Sequence, residues 1–432
     1  MARVILKFRK ARPFWFGHPW VFTGAIDRVK GNVADGDVVE LVDDSGRLIG
    51  EGFWNSKSQI AVRLTSLKGE GALDTALLLK RLDAAIALRE DTLHLSEVTN
   101  AYRIVHSEGD GLPGLIVDRL GPYLMLQVSC LGMARFLEPL LQRLIERYQP
   151  EAVCERECKV AVEEEGLVRP AAVLHGTAPT GAVEVVEHGV KAFADPVGGQ
   201  KTGWYSDQRD NRHFAGQLAR GKEVLDGFSY TGAFGLRMAL NGAEHVTVVD
   251  SSDPALDLAR RAAQVQGLTE RMTFEKGNVL RVFDHFAQEG RRFDVVIVDP
   301  PKFVHKRAEI ERGLALYHEV NVKALRLVKD GGVLMSHSCS QHVAEEHFDE
   351  MLASAAKSIG VRAQEFHRAT QAPDHPVLLP LMESRYLKCR ALRVHVTGMD
   401  LTISPRGQEG SSRELNERGG GSTPAVPPDT QE

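Results

Sequence analysis

The hydrophobic positions of this chain change their spacing near residue 190. Before that point, the apolar runs Val4–Phe8, Val38–Val42, Leu48–Phe53 and Ile60–Leu64 are separated by Gly31-Asn32, Asp35-Gly36-Asp37 and Asp43-Asp44-Ser45-Gly46. Short runs punctuated by turn residues predict a small β-barrel. Thr75–Leu93 then sets Leu77, Leu78, Leu82, Ile86 and Leu93 on or near one helical face, and Arg135–Tyr148 repeats that pattern. Tyr102–His106 is predicted as a strand, and Ile116–Asp118 and Tyr123–Val128 flank Leu120-Gly121-Pro122 as a hairpin.

After residue 190 predicted strands alternate with predicted helices. The strands are Glu223–Leu225, His245–Val249, Met272–Glu275, Phe293–Val298 and Gly332–Ser336. The helices are Gly235–Asn241, Pro254–Gln266, Val279–Glu289 and Leu314–Leu327. This alternation predicts an α/β domain with a parallel sheet covered on both faces. The expected organisation is a barrel at 1–70, a small α/β linker domain at 71–189, a larger Rossmann-like α/β domain at 190–398 and a disordered tail at 399–432, rich in Gly, Ser, Pro and charge.

Composition narrows the class. The chain has 432 residues, 43 % hydrophobic and 26 % charged, which is ordinary for a soluble protein. No apolar run approaches the ~18 residues of a membrane span, and the N-terminus lacks a signal-peptide core. Five cysteines in so long a chain argue against a disulfide framework, so the expected compartment is the cytoplasm. Cys154 and Cys158 lack the partners of a zinc site, and no metal is expected. The net charge is −5, yet residues 1–30 carry seven basic side chains against one acid, a local +6. A basic patch on an acidic protein fits docking on a phosphate backbone, with Arg9, Lys10 and Arg12 as candidates; a solubilising strand and turn explains the charge equally well.

Two stretches carry candidate chemistry. Val224-Leu225-Asp226 runs into Gly227-Phe228-Ser229-Tyr230-Thr231-Gly232-Ala233-Phe234-Gly235, a Gly-containing turn after a buried strand. Such a turn suits a nucleotide-like ligand, and its aromatic character suits a nucleoside with an amino-acid tail. Asp250 ends the next strand, where a carboxylate can take ribose hydroxyls, and Asn278 follows the third, where an amide can meet an adenine edge. Gln208, just upstream, is a further lining candidate. Each of these alone is as well explained by a helix cap or turn.

The second stretch is Asp299-Pro300-Pro301-Lys302-Phe303, an acid and a stiff Pro-Pro wall at the end of the fourth strand. A planar base could be held there for methylation on nitrogen. Methylation of a pyrimidine C5 needs in addition a thiolate to add at C6. Cys339, one strand further on, is placed for that, with His337 and His342 near enough in sequence to assist its ionisation. A buried structural cysteine is the competing explanation. Arg209, Arg212 and Lys302 are candidates for phosphate contact, Arg212 equally for a capped helix start. Asp374-His375 and Glu383 are candidates for an acid–base role or for loop capping.

Several motifs together resemble the bacterial large-subunit (23S) ribosomal RNA 5-methylcytosine methyltransferases with an N-terminal PUA domain. They are Gly17–Phe22, Ser107–Leu115, Lys201–Arg212, Phe228–Gly232, Asp299–Phe303, Ser338-Cys339-Ser340 and Asp374-His375-Pro376. The resemblance implies a PUA barrel, an α/β linker and a Rossmann-like domain binding S-adenosylmethionine (SAM). It implies Cys339 as nucleophile and Asp299 at the pocket wall; the expected cofactor set is Asp226, Phe228, Tyr230, Thr231, Gly232, Asp250, Asn278, Gln208, Asp299 and Pro300, with Asn278 standing where the family pattern has an acid. It also extends to guanine-N7 ribosomal RNA methyltransferases, which need no thiol. Three readings stay open: cytosine-C5 methylation, methylation of a guanine nitrogen with Cys339 structural, and a non-catalytic RNA-binding assembly factor. Ribosomal RNA is the expected partner and no membrane contact is expected; monomer and homodimer are both compatible.

Overall fold

The computed structural model describes residues 1–199 and 202–396; Lys201 and the tail at 399–432 lie outside the described residues. In the first 67 residues the turn signals separate six strands: β1 (Ala2–Leu6), β2 (Trp20–Phe22), β3 (Ile26–Lys30), β4 (Val38–Val42), β5 (Leu48–Trp54) and β6 (Ile60–Leu67). They form one sheet in the order β2-β6-β5-β4-β1-β3, closed over Val4, Leu6, Val21, Val39, Leu41 and Val62.

A second sheet holds β7 (Ala101–His106), β8 (Leu115–Leu120), β9 (Tyr123–Val128), β10 (Ala152–Glu155) and β11 (Ala172–Gly176), in the order β11-β10-β9-β8-β7. Leu78 and Leu82 of the helix Thr75–Ala87, and Leu140 and Leu144 of Leu137–Tyr148, share its core. The expected single helix to Leu93 is broken: from Leu88 to Thr92 the chain takes a π-helical turn. That turn carries Arg89 inward, where it meets Asp110 at 2.6 Å and the Asp374 carbonyl at 2.6 Å. A separate hairpin follows, β12 (Val183–Glu187) and β13 (Val190–Ala194).

The third sheet has seven strands: β14 (Glu223–Gly227), β15 (His245–Asp250), β16 (Met272–Lys276), β17 (Phe293–Val298), β18 (Val328–Ser338), β19 (Val361–Ala369) and β20 (Lys388–Val396). Their order is β16-β15-β14-β17-β18-β20-β19. The expected all-parallel sheet is corrected here: β14 to β18 are parallel, but β20 inserts antiparallel between β18 and β19. The helices Ala233–Leu240 and Asp253–Val265 bury Leu236, Leu256 and Ala263 on one face. Val279–Gln288, Ile310–Arg326 and Glu345–Ser358 bury Phe283, Tyr317 and Phe348 on the other.

Chain order reverses between β14 and its neighbours β15 and β17, so a crevice opens above the C-terminal ends of these strands. Asp226, Asp250 and Asp299 all come from those ends.

Candidate functional site

The crevice holds a cavity of about 460 Å³, within the range of ligand sites. Its wall brings together Gln208, Phe228, Tyr230, Thr231, Asp250, Asn278, Asp299, Pro300, Lys302 and Cys339. Two sequence-predicted cofactor residues, Asp226 and Gly232, are not on that wall.

Asp226 lies behind it. Its carboxylate is buried and accepts the Gly235 N–H at 2.8 Å, fixing the start of the helix Ala233–Leu240. Burial pushes its pKa up to about 7, against the opposing pull of the Gly235 N–H. Gly232 has φ +70° and a Cβ there would lie 2.9 Å from Ala259 Cβ, so glycine is required by the turn itself. Phe228 and Tyr230 take left-handed backbone angles as well, φ 61° and 52°, which non-glycine residues rarely adopt. The turn is held in this strained form partly by Asp250, whose Oδ2 accepts the Tyr230 N–H at 2.8 Å while Oδ1 accepts that of Ser252 at 2.8 Å.

Each Asp250 oxygen therefore keeps a lone pair for a ligand hydroxyl. Asn278 lines the cavity but spends its Oδ1 on capping the helix Val279–Gln288 through the Arg281 N–H at 3.2 Å. Gln208 acts through its neighbours: Nε2 donates to Asp299 Oδ2 at 2.9 Å, and Oε1 accepts from Asn211 at 2.6 Å. This chain of amides sets the direction of the Asp299 carboxylate. Tyr205 packs edge-on against Tyr230, with ring centroids 5.4 Å apart, and closes the same side.

Several sequence candidates are corrected. Arg209 is buried and pairs with Asp374 at 3.0 Å, so it is not available to phosphate. Arg212 does line the cavity, but it is buried and its guanidinium pairs with Glu187 at 2.5 Å. Asp374 and His375 are buried away from the cavity wall; Asp374 accepts the Arg103 N–H at 2.9 Å and so ties β7 to the segment ahead of β20. His337 is buried, donates Nδ1–H to the Val298 carbonyl at 3.1 Å, and has its pKa lowered by burial; His342 is lowered by burial too. Neither can supply a cation to Cys339 at neutral pH. Arg9, Lys10 and Arg12 are exposed, beside the exposed Phe8 and Phe16. Sequence reasoning missed Leu387 on the wall and Lys388 beneath it.

Comparison with known proteins gives this architecture a family. A PUA-like domain model matches residues 4–67 and a methyltransferase domain model matches 218–378. Over 393 residues the chain is 37 % identical to the ribosomal RNA large subunit methyltransferase I of Shewanella amazonensis, covering 91 % of this chain and 99 % of that one. Its counterpart in Aeromonas salmonicida is 37 % identical over 378 residues, covering 87 % and 95 %. The chain belongs to this methyltransferase family. A SAM-dependent methyltransferase structure from Streptococcus mutans, 20 % identical, superposes with a TM-score of 0.77 over 91 % of this chain and all of that one, which shows the shared fold. Another methyltransferase structure, complexed with SAH, gives 0.78 at 19 % identity over 91 % of this chain. As a member of the family the protein uses SAM as methyl donor, and the lone pairs of Asp250 and the aromatic turn fit a nucleoside with a charged tail.

Proposed function

We propose that this protein methylates C5 of a cytosine in large-subunit ribosomal RNA through a covalent bond between Cys339 and C6. The observation that carries the reading is the presence of Cys339 and Asp299-Pro300 on one cavity wall with Asp250 and the Phe228–Thr231 turn. Asp250, Phe228, Tyr230, Thr231 and Asn278 would hold the cofactor, with Asp226 and Gly232 shaping the turn. SAM, when bound, supplies an electrophilic methyl group.

The thiolate of Cys339 adds to C6, and the C5–C6 π electrons make C5 a carbon nucleophile. Once C5 carries the methyl group, loss of its proton restores the double bond and expels the thiolate. Asp299, directed by Gln208, forms a polar edge beside the Pro300-Pro301 wall that can orient the exocyclic amine of the base. Such a base must leave its stack to reach a pocket of this depth. Exposed Arg9, Lys10 and Arg12, in the segment between β1 and β2, and Lys302 at the cavity would hold the phosphate backbone.

RNA containing 5-fluorocytosine at the target position tests the reading, because fluorine cannot leave as a proton. A covalent RNA adduct that disappears in Cys339→Ala is the expected result. Intact methylation by Cys339→Ala, or methylguanine in digests of the product, would overturn it.

A further inference from the structure

Cys339 needs a positive neighbour to be a thiolate at neutral pH, since a free thiol ionises near pH ~8.5. The histidines do not provide it. Lys388 is 2 % exposed at the first position of β20, where the antiparallel register sets it opposite Ser338. Its Nζ donates to the Ser340 carbonyl at 2.6 Å and to the Tyr386 carbonyl at 3.1 Å. It is thus anchored beneath the turn on which Cys339 sits. Among the described residues no carboxylate lies within ion-pair distance of it. Burying an ammonium without a carboxylate is unfavourable unless another anion compensates it. The neighbouring wall residue Leu387 lines the cavity together with Cys339.

We propose that Lys388 is a positioning residue whose ammonium holds Cys339 in the thiolate form that attacks the base. The inference rests on the nucleophilic role given to Cys339 above. Burial lowers the lysine to about 8; the charge of Cys339 is the foremost influence opposing that drop, ahead of Glu345, while Arg390 and Lys302 add to it. The coupling is reciprocal: whatever the thiolate does to hold the lysine proton, the ammonium does to release the thiol proton. The S–H proton leaves to solvent and the ammonium keeps its own.

Other charged and titratable groups face the thiol from each neighbouring element. Asp299 at the end of β17 opposes the thiolate, and Lys302 after the Pro-Pro wall favours it. Tyr205, and Tyr317 from the helix Ile310–Arg326, feel the thiolate and are raised, chiefly by burial, so they remain neutral. His342, beyond Lys302, is neutral as well. Among the described residues Arg212 also lines the cavity but pairs with Glu187, so Lys388 is a buried cation here that has no carboxylate partner.

The test is the pH profile of Cys339 alkylation by iodoacetamide in the full-length protein without RNA or methyl donor, read by peptide mass. The wild-type midpoint is expected at least about one unit below the ordinary ~8.5. Lys388→Met should raise it by about one unit or more, which slows alkylation at pH 7 by roughly tenfold, and Lys388→Arg should restore it. A wild-type midpoint at or above ~8.5 overturns the proposal without any variant. So does an unchanged midpoint in a Lys388→Met protein with native circular dichroism. If that variant does not fold, the wild-type midpoint and Lys388→Arg decide. A low midpoint that depends on Lys388, with no fluorocytosine adduct, upholds the coupling and overturns the cytosine-C5 reading instead.

Discussion

Replacing Asp374 by asparagine should loosen the joint between the second sheet and the seven-stranded sheet. Asp374 is fully buried, accepts the Arg103 N–H at 2.9 Å and pairs with Arg209 Nη2 at 3.0 Å. His375, Arg209 and these hydrogen bonds outweigh the effect of burial and hold its pKa far below the usual carboxylate range. The asparagine side chain would keep the shape and leave the buried Arg209 without its internal counter-charge; the other partner, Asp210, is half exposed. Breaking a buried pair from one side costs about 3–5 kcal/mol. Each ~1.4 kcal/mol is tenfold, so local opening should rise by roughly a hundredfold or more. Hydrogen exchange read by mass spectrometry reports it directly, because the Arg103 amide is itself a donor to Asp374. Segments 101–106 and 371–376 should lose protection while β1–β6 do not. Because the folded pKa is depressed, the contribution is present above the unfolded value of ~3.9 and erodes only as pH falls below it. Protection at Arg103 that changes less than about threefold in Asp374→Asn, against the roughly hundredfold expected, refutes the argument.

Three further outcomes follow from the site. Asp226, raised to about 7 by burial, binds its proton more tightly folded than unfolded, so between about pH 4 and 7 it makes stability fall as pH rises; Asp226→Asn should flatten that slope in melting temperatures taken across the range. Asp250→Ala removes the acceptor that also pins the Tyr230 N–H, and calorimetry should show SAM affinity reduced at least about tenfold, the loss of one charged hydrogen bond; an unchanged affinity would place the ribose elsewhere. Arg9→Ala with Arg12→Ala should weaken RNA binding and lower the salt slope by about one for each phosphate no longer neutralised, whereas Arg209→Met should alter stability and leave that slope alone.

The strands that build the cavity floor were readable because each is a short apolar run ending in an acid or a turn. Asp250, Asp299 and Cys339 share a property visible in one dimension: each lies at or just beyond the end of a parallel strand. The misreadings have a common cause as well. Arg209 and Arg212 looked solvated because their counter-charges, Asp374 and Glu187, lie 165 and 25 residues away in sequence. β19 escaped because its side chains alternate between partial and full exposure, with Arg362, Gln364, Glu365 and Arg368 resembling a loop. Lys388 escaped because a lysine is normally a surface residue, and only its place beside β18 buries it.

The insertion of β20 has a consequence for the order in which the protein becomes active during synthesis. β18 cannot receive its outer partner from the next strand made, since β19 pairs only with β20 and occupies the sheet edge. A nascent chain that ends before residue 388 has already made the Gly-containing turn, the Pro-Pro wall and the thiol, but β18 stands with an open edge. Leu387 has then not been set against Cys339, and no lysine lies under it. If Lys388 ionises Cys339 as proposed, translation of β20 is the arming step: the sulfur stays weakly nucleophilic until that strand joins β18.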